Sequence, residues 1–210
     1  MTIGIIGFGM LGRQIVGLLS ELHATQDFLF FDDLVNAQGS ENIFPFDSYL
    51  DARFANLEFY VGLGYLRLQR KAEILLELRE AGRRAPSFVH PSCHVHPTCR
   101  IGEGCIVFPM CNLDQEVELG NGVLLNNSVV ISHNCTVGDA AYLSPGVVLA
   151  GHVTIGAETF LGAGTLVSQR RHIGRGARLG IGSVVTRDIP NEASAIGNPL
   201  RILERKLELG

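Results

Sequence analysis

This sequence of 210 residues has no excess of positive charge: 17 Lys and Arg stand against 21 Asp and Glu, a formal net charge of −4. That gives no reason to expect a nucleic-acid partner. Hydrophobic residues make up 46% of the chain, but polar residues interrupt them throughout. No continuous apolar run is long enough to cross a bilayer, so no membrane insertion is expected. The opening Met1-Thr2-Ile3-Gly4 lacks the charged and apolar regions of a secretory leader, which points to the cytoplasm. The five cysteines, Cys93, Cys99, Cys105, Cys111 and Cys135, form no CxxC pair, so the ligand spacing of a zinc site is missing.

What is present instead is a repeat. From Val89 to Val185 an aliphatic residue recurs at every sixth position, always Val, Leu or Ile. A period of six fits neither a helix nor an alternating strand. It marks a hexapeptide β-helix, in which each short strand forms one face of a coil and the coils stack. Turn-compatible residues fill the corners, as in Ile101-Gly102-Glu103-Gly104 and Leu161-Gly162-Ala163-Gly164. All five cysteines lie four places after an aliphatic residue, a phase shared with Val123, Val129, Thr165, Ala177 and Ser183. There they are expected to pack as small apolar groups. Cys93 and Cys111 would stack on neighbouring coils, within reach of a disulfide that a reducing compartment disfavours. Ile189-Pro190 ends the series. Pro199 and the stretch Leu200 to Leu209 predict a turn and a short C-terminal helix capping the last coil.

The first 86 residues read differently. Thr2 to Ile6 is a short apolar strand, followed by Gly7-Phe8-Gly9-Met10-Leu11-Gly12 and a helical pattern from Leu11 to His23. This is G-x-G-x-x-G in strand-to-helix context, suited to a tight turn, close backbone approach to phosphate, and helix N-terminal N–H groups aimed at an anion. A second strand, Phe28 to Phe31, ends in Asp32-Asp33, placed to meet a ribose hydroxyl. A third strand, Leu57 to Val61, leads into Gly62-Leu63-Gly64 and a helix from Tyr65 to Glu80. A full dinucleotide fold needs two such halves, and only one fits before the repeats begin. A single nucleotide is therefore preferred as ligand over a dinucleotide. The alternative is that the glycines only let helix and strand pack closely.

The combination resembles the hexapeptide-repeat acyltransferases, and more closely the bacterial nucleotide-sugar N-acetyltransferases, with sialic-acid O-acetyltransferase-like proteins beside them. The residues that carry the resemblance are the Gly7–Gly12 turn, Phe31-Asp32-Asp33, and Val89-His90-Pro91-Ser92. Further on come the run from Asn126 to Gly138, Leu149-Ala150-Gly151, and Gly197-Asn198-Pro199. The resemblance implies an α/β N-terminal half-Rossmann domain (residues 1–86) and a left-handed parallel β-helix (87–190). A C-terminal turn and capping helix (191–210) completes the expected chain. It implies a homotrimer with active sites between subunits, and acetyl-CoA as co-substrate.

It also implies roles. His133 is the general base, Asn134 its neighbour where the family usually has Glu or Asp, and Gly151 the backbone donor to the thioester carbonyl. Acetyl-CoA contacts are expected from Tyr142, Gly151, Ala163, Gly164, Gly180, Ile181, Arg187, Asn198 and Pro199. Tyr142 stands where several relatives carry a second histidine. Nucleotide-sugar contacts are expected from Gly7, Gly9, Met10, Leu11, Gly12, Asp32, Asp33, Gly62, Gly64 and Asn126.

The expected function is acetyl-CoA-dependent N-acetylation of a nucleotide-linked amino-deoxy sugar, in bacterial surface-glycan biosynthesis such as that of lipopolysaccharide O-antigen. O-acetylation of a sugar or sialic acid, a non-catalytic nucleotide-binding scaffold and an NAD(P)-linked oxidoreductase are the alternatives. His90, His94, His96, His152 and His172 raise a zinc site like that of γ-class carbonic anhydrases. His90, His94 and His96 fall at the very start of the repeats, and no metal is expected.

Overall fold

The structure is a computed structural model that describes residues 2–22, 26–33 and 41–208. The chain divides into two compact units, Met1–Pro86 and Ser87–Gly210.

In the first unit, the apolar run after Met1 forms strand β1 (Thr2–Ile6), and the glycine turn delivers the chain into helix α1 (Met10–Leu22). Leu11, Ile15, Leu18 and Leu19 recur at helical spacing and are its buried side. The predicted end of this helix, His23, lies outside the described residues. Strand β2 (Asp27–Phe31) pairs in parallel with one edge of β1, and β4 (Glu58–Val61) pairs in parallel with the other. A two-residue strand, β3 (Ile43–Phe44), extends the sheet beyond β2. Sequence reading did not find β3, because two residues carry no period. The sheet order is β3-β2-β1-β4, so the chain reverses direction across the sheet between β1 and β4. The predicted Tyr65–Glu80 helix begins as a 3-10 turn (Tyr65–Arg67) and continues as α2 (Leu68–Glu80). Phe31, Tyr49, Phe54, Phe59 and Ile74 fill the core, with the Phe31 and Phe54 rings edge to face at 4.9 Å.

The second unit is a β-helix. Seventeen two-residue strands, β5 (Phe88–Val89) to β21 (Val184–Val185), each end on one aliphatic residue of the six-residue column. They stack in parallel with partners 18 residues apart, as Val130 lies opposite Val148 and Leu124 opposite Tyr142. Three sheets of five, eight and six strands make the three faces. The column is buried from Val107 onward, and Cys105, Cys111 and Cys135 pack inside with it. All five cysteines are free thiols. The Cys93 and Cys111 thiols interact across neighbouring coils, which lowers the pKa of Cys93 to about 7 and raises that of Cys111.

One backbone rule governs the corners. The third residue after the aliphatic position is left-handed in every hexad from Ile101 to Leu179, including Met110, Ser128, Asn134, His152 and Arg170. Side chains outside the coil differ by face. On the five-stranded sheet they are Arg100, Glu118, Thr136, Thr154 and His172. On the six-stranded sheet they run His94, Asn112, Val130, Val148, Leu166 and Val184, with Val130 37% and Leu166 45% exposed.

The C-terminal helix expected from Leu200 onward is not formed; Leu209 lies outside the described residues. Instead β22 (Ser194–Ile196) continues the eight-stranded face in parallel, and β23 (Arg201–Leu203) folds back on it antiparallel. Apolar residues at 200, 202 and 203 gave a helical look, but the open edge of the last coil offers unpaired backbone groups that a strand satisfies and a helix does not. No described helix is long and apolar enough to cross a membrane.

Candidate active site

The hexad geometry brings His133 and Gly151 together. Each stands two places after an aliphatic residue, and they are 18 residues apart, so they lie on one edge in successive coils. The contact is close: a Cβ built on Gly151 would lie 2.7 Å from both Cε1 and Nε2 of His133. The half-buried His133 ring therefore presents Nε2 to the space over Gly151. The other ring nitrogen, Nδ1, is 2.9 Å from Asn134 Oδ1. With the amide oxygen accepting, Nδ1 carries the proton and Nε2 keeps its lone pair. Asn134 is left-handed at φ 57°, a conformation Asn tolerates better than most residues. Its identity thus suits the corner as well as the imidazole.

Gly151 also offers a donor. Among the described residues its N–H has no protein acceptor, while its carbonyl accepts from Arg170 N–H at 3.0 Å. A free backbone N–H next to an imidazole with a free lone pair is a donor-and-base pair of the kind acyl transfer requires.

His152, which sequence reading left only among the metal alternatives, belongs here. It occupies the corner one coil beyond Asn134, gives its N–H to His133 O at 3.0 Å, and sets its ring perpendicular to that of His133 at 5.0 Å. The 18-residue spacing from Asn134 was the signal that places it.

The expected acetyl-CoA residues separate into groups. Arg187 is on the same edge as His133 and donates to Leu200 O at 3.4 Å, next to the exposed Asn198-Pro199 turn. Ala163, Gly164, Gly180 and Ile181 lie on the neighbouring edge, where Ile181 is 72% exposed. Gly180 is used by the fold, since a Cβ there would meet the Ile196 side chain at 2.5 Å. Tyr142 is not beside His133. It lies in β14 (Tyr142–Leu143) on the eight-stranded face, buried against Phe160, and its hydroxyl accepts from Asn126 Nδ2 at 3.3 Å. Within one chain, Asn126 and Tyr142 form a pair apart from the His133 corner.

In the first unit the glycines divide by use. Gly7 is left-handed (φ 85°), and a Cβ on Gly12 or Gly62 would run into the Gly7 carbonyl. These three allow backbone to pack on backbone. Gly9 and Gly64 face open space. Asp32 accepts the Phe8 N–H at 2.8 Å, tying the glycine turn to the end of β2, and Asp33 accepts the Phe46 N–H at 2.8 Å. The Leu11 side chain is in the core, whereas Met10 is 76% exposed. No acidic residue occupies the first turn of α1.

Among the described residues no three His, Cys, Asp or Glu side chains are grouped to hold a metal ion. The Nδ1 atoms of His90 and His96 pair locally with Ser92 and Thr98, at 2.8 and 3.0 Å.

No protein-family profile matches the chain, and no curated protein sequence matches it. Solved structures do. The acetyltransferase domain of PglB from Neisseria gonorrhoeae is 29% identical over 96% of this chain and 99% of that one, with a TM-score of 0.85. The same domain has been solved in complex with acetyl coenzyme A. PerB from Caulobacter crescentus, in complex with CoA and GDP-perosamine, is 29% identical over 97% of each chain, with a TM-score of 0.84. WeeI from Acinetobacter baumannii, at 21% identity and a TM-score of 0.84 over 97% of this chain and 100% of that one, shares the fold. The resemblance to nucleotide-sugar acetyltransferases read from the sequence is borne out across both units.

Proposed function

We propose that this chain is an acyltransferase that moves the acetyl group of acetyl-CoA to the amino group of a nucleotide-linked amino-deoxy sugar. The observation that carries the reading is the His133 corner, where a lone pair held by Asn134 faces a glycine whose N–H is free. Its likeness over nearly the whole length to PerB, solved with CoA and GDP-perosamine, supports the substrate class.

Acetyl-CoA supplies an activated acyl carbon. The neutral amine attacks that carbon, a C–N bond forms, and the C–S bond breaks. His133 Nε2 takes the proton lost by nitrogen and returns it to the departing sulfur, so atoms and charge balance. The Gly151 N–H lies beside the base, suited to the charge that gathers on the thioester oxygen. With both substrates held together, direct attack needs no covalent enzyme intermediate. The Arg187 edge and the open corners at Gly164 and Ile181 offer charge and apolar surface to the CoA chain.

The N-terminal unit is read as the nucleotide holder. Its sheet order places the Gly7–Gly12 and Gly62–Gly64 turns at the carboxyl ends of β1 and β4, where the strand order reverses and where ligands of open parallel sheets bind. Gly9, Gly64 and the N-terminus of α1 leave room and donors for phosphate. The apolar column Val130, Val148, Leu166, Val184 is read as the contact to further copies of the chain in a trimer. The reaction is read as cytoplasmic, in the assembly of surface glycans.

The test is His133→Ala in a steady-state assay with acetyl-CoA and amino-sugar nucleotides. Loss of the base is expected to lower kcat about 100- to 10,000-fold. Retention of most of kcat would sink the assignment.

A further inference from the structure

The cysteine phase does more than fill the interior. Cys105, Cys111 and Cys135 each donate their thiol to a carbonyl fifteen residues on, to Gly120 at 3.0 Å and to Asn126 and Ala150 at 3.1 Å. Thr159, in the same phase, does so with its hydroxyl to Gly174 O at 2.8 Å. These carbonyls follow the inward aliphatic residue and point back beneath the corner.

At Cys135 the recipient matters, because the carbonyl of Ala150 and the N–H of Gly151 are two ends of one peptide. Among the described residues no backbone N–H donates to Ala150 O, so the thiol is the bond that carbonyl makes. The thiol in turn accepts from Val153 N–H at 3.4 Å, which fixes its position.

We propose that Cys135 is a positioning residue for acyl transfer: its S–H bond to Ala150 O sets the plane of the Ala150–Gly151 peptide and polarises the Gly151 N–H toward the thioester oxygen. This rests on the reading of Gly151 as the oxyanion donor. The physical basis is cooperativity, since a peptide that accepts at its carbonyl donates more strongly at its N–H. Cys135 is fully buried, and burial raises its pKa, so the group stays in the S–H form that donates. It contacts neither substrate in this scheme and acts through the peptide.

The fold supplies the controls. Val and Thr are nearly the same shape, and both occupy this phase elsewhere, at Val123, Val129, Thr159 and Thr165. Cys135→Thr keeps a donor and Cys135→Val removes it. Steady-state kinetics and thermal unfolding are measured on both variants of the full chain. Cys135→Thr is expected to stay within about twofold of the parent, and Cys135→Val to lose about three- to tenfold in kcat, the worth of one ordinary hydrogen bond. KM for the amino sugar and the unfolding midpoint are expected to match between the two. Should Cys135→Val not fold, Cys135→Thr against Cys135→Ala asks the same question, with Thr159 and Ala177 as precedents in phase. Equal kcat for donor and non-donor variants, in a parent that transfers acetyl groups, overturns the role of Cys135 alone. A parent inactive with acetyl-CoA and every amino-sugar nucleotide overturns the underlying reading, and Cys135 with it.

Discussion

His133 and Gly151 constrain each other. Because a methyl group on Gly151 would stand 2.7 Å from Nε2 and Cε1, the imidazole keeps its place only while residue 151 has no side chain. Gly151 is not left-handed, so alanine fits the backbone there without strain. The Gly151→Ala variant is therefore expected to fold with an unfolding midpoint close to the parent's. Its ring must turn away from Asn134 Oδ1, and a displacement of about 1 Å at a reacting group costs about 100-fold in rate. Parallel measurement of kcat and thermal unfolding checks this. A variant with full kcat would show that the base does not act from this rotamer. The His133–Gly151 pairing was legible in the sequence, because the six-residue count alone sets them one coil apart on one edge. The roles of His152 and Cys135 were not. Each depends on a ring angle or a hydrogen bond between coils, and spacing does not record those.

At the scale of the coil, the determinant is the left-handed corner. Fourteen successive hexads place one there, yet only some carry glycine. Gly146 has φ 69° and nothing within 4 Å of a built Cβ, so its replacement costs backbone strain alone. Gly146→Ala is expected to lower stability by about 1 kcal/mol, and Arg170→Gly, at an exposed corner with φ 57°, to raise it by a similar amount. Urea unfolding of the two variants against the parent measures both. Opposite signs are the expected result, and a shared sign would show that corner conformation does not control coil stability. The inward column and the strand-turn-helix start of the first unit were readable because each has a period or a motif. The two-residue β3 and the closing β23 were not, since their strand character comes from neighbouring edges that demand hydrogen bonds. The glycine motif was read as one device. The structure divides it, with Gly7, Gly12 and Gly62 serving packing and Gly9 and Gly64 left open.

For the whole molecule, the question is what covers the apolar face. Leu166 is 45% exposed amid Val130, Val148 and Val184, while the five-stranded face shows Arg100, Glu118 and threonines. A charge at Leu166 would have to be desolvated in any contact made by that face. On the proposal that this face joins three copies, Leu166→Glu is expected to reduce the solution mass from that of a trimer to that of one chain, as measured by light scattering on a sizing column. An unchanged mass would place the subunit contact elsewhere. A stack of like coils has no intrinsic length, because each new rung is a template for the next. On the eight-stranded face β23 answers this by running against the grain. It pairs along the edge of β22, so the strand that took the place of the expected helix occupies the rung on which a further parallel coil of this face would be laid.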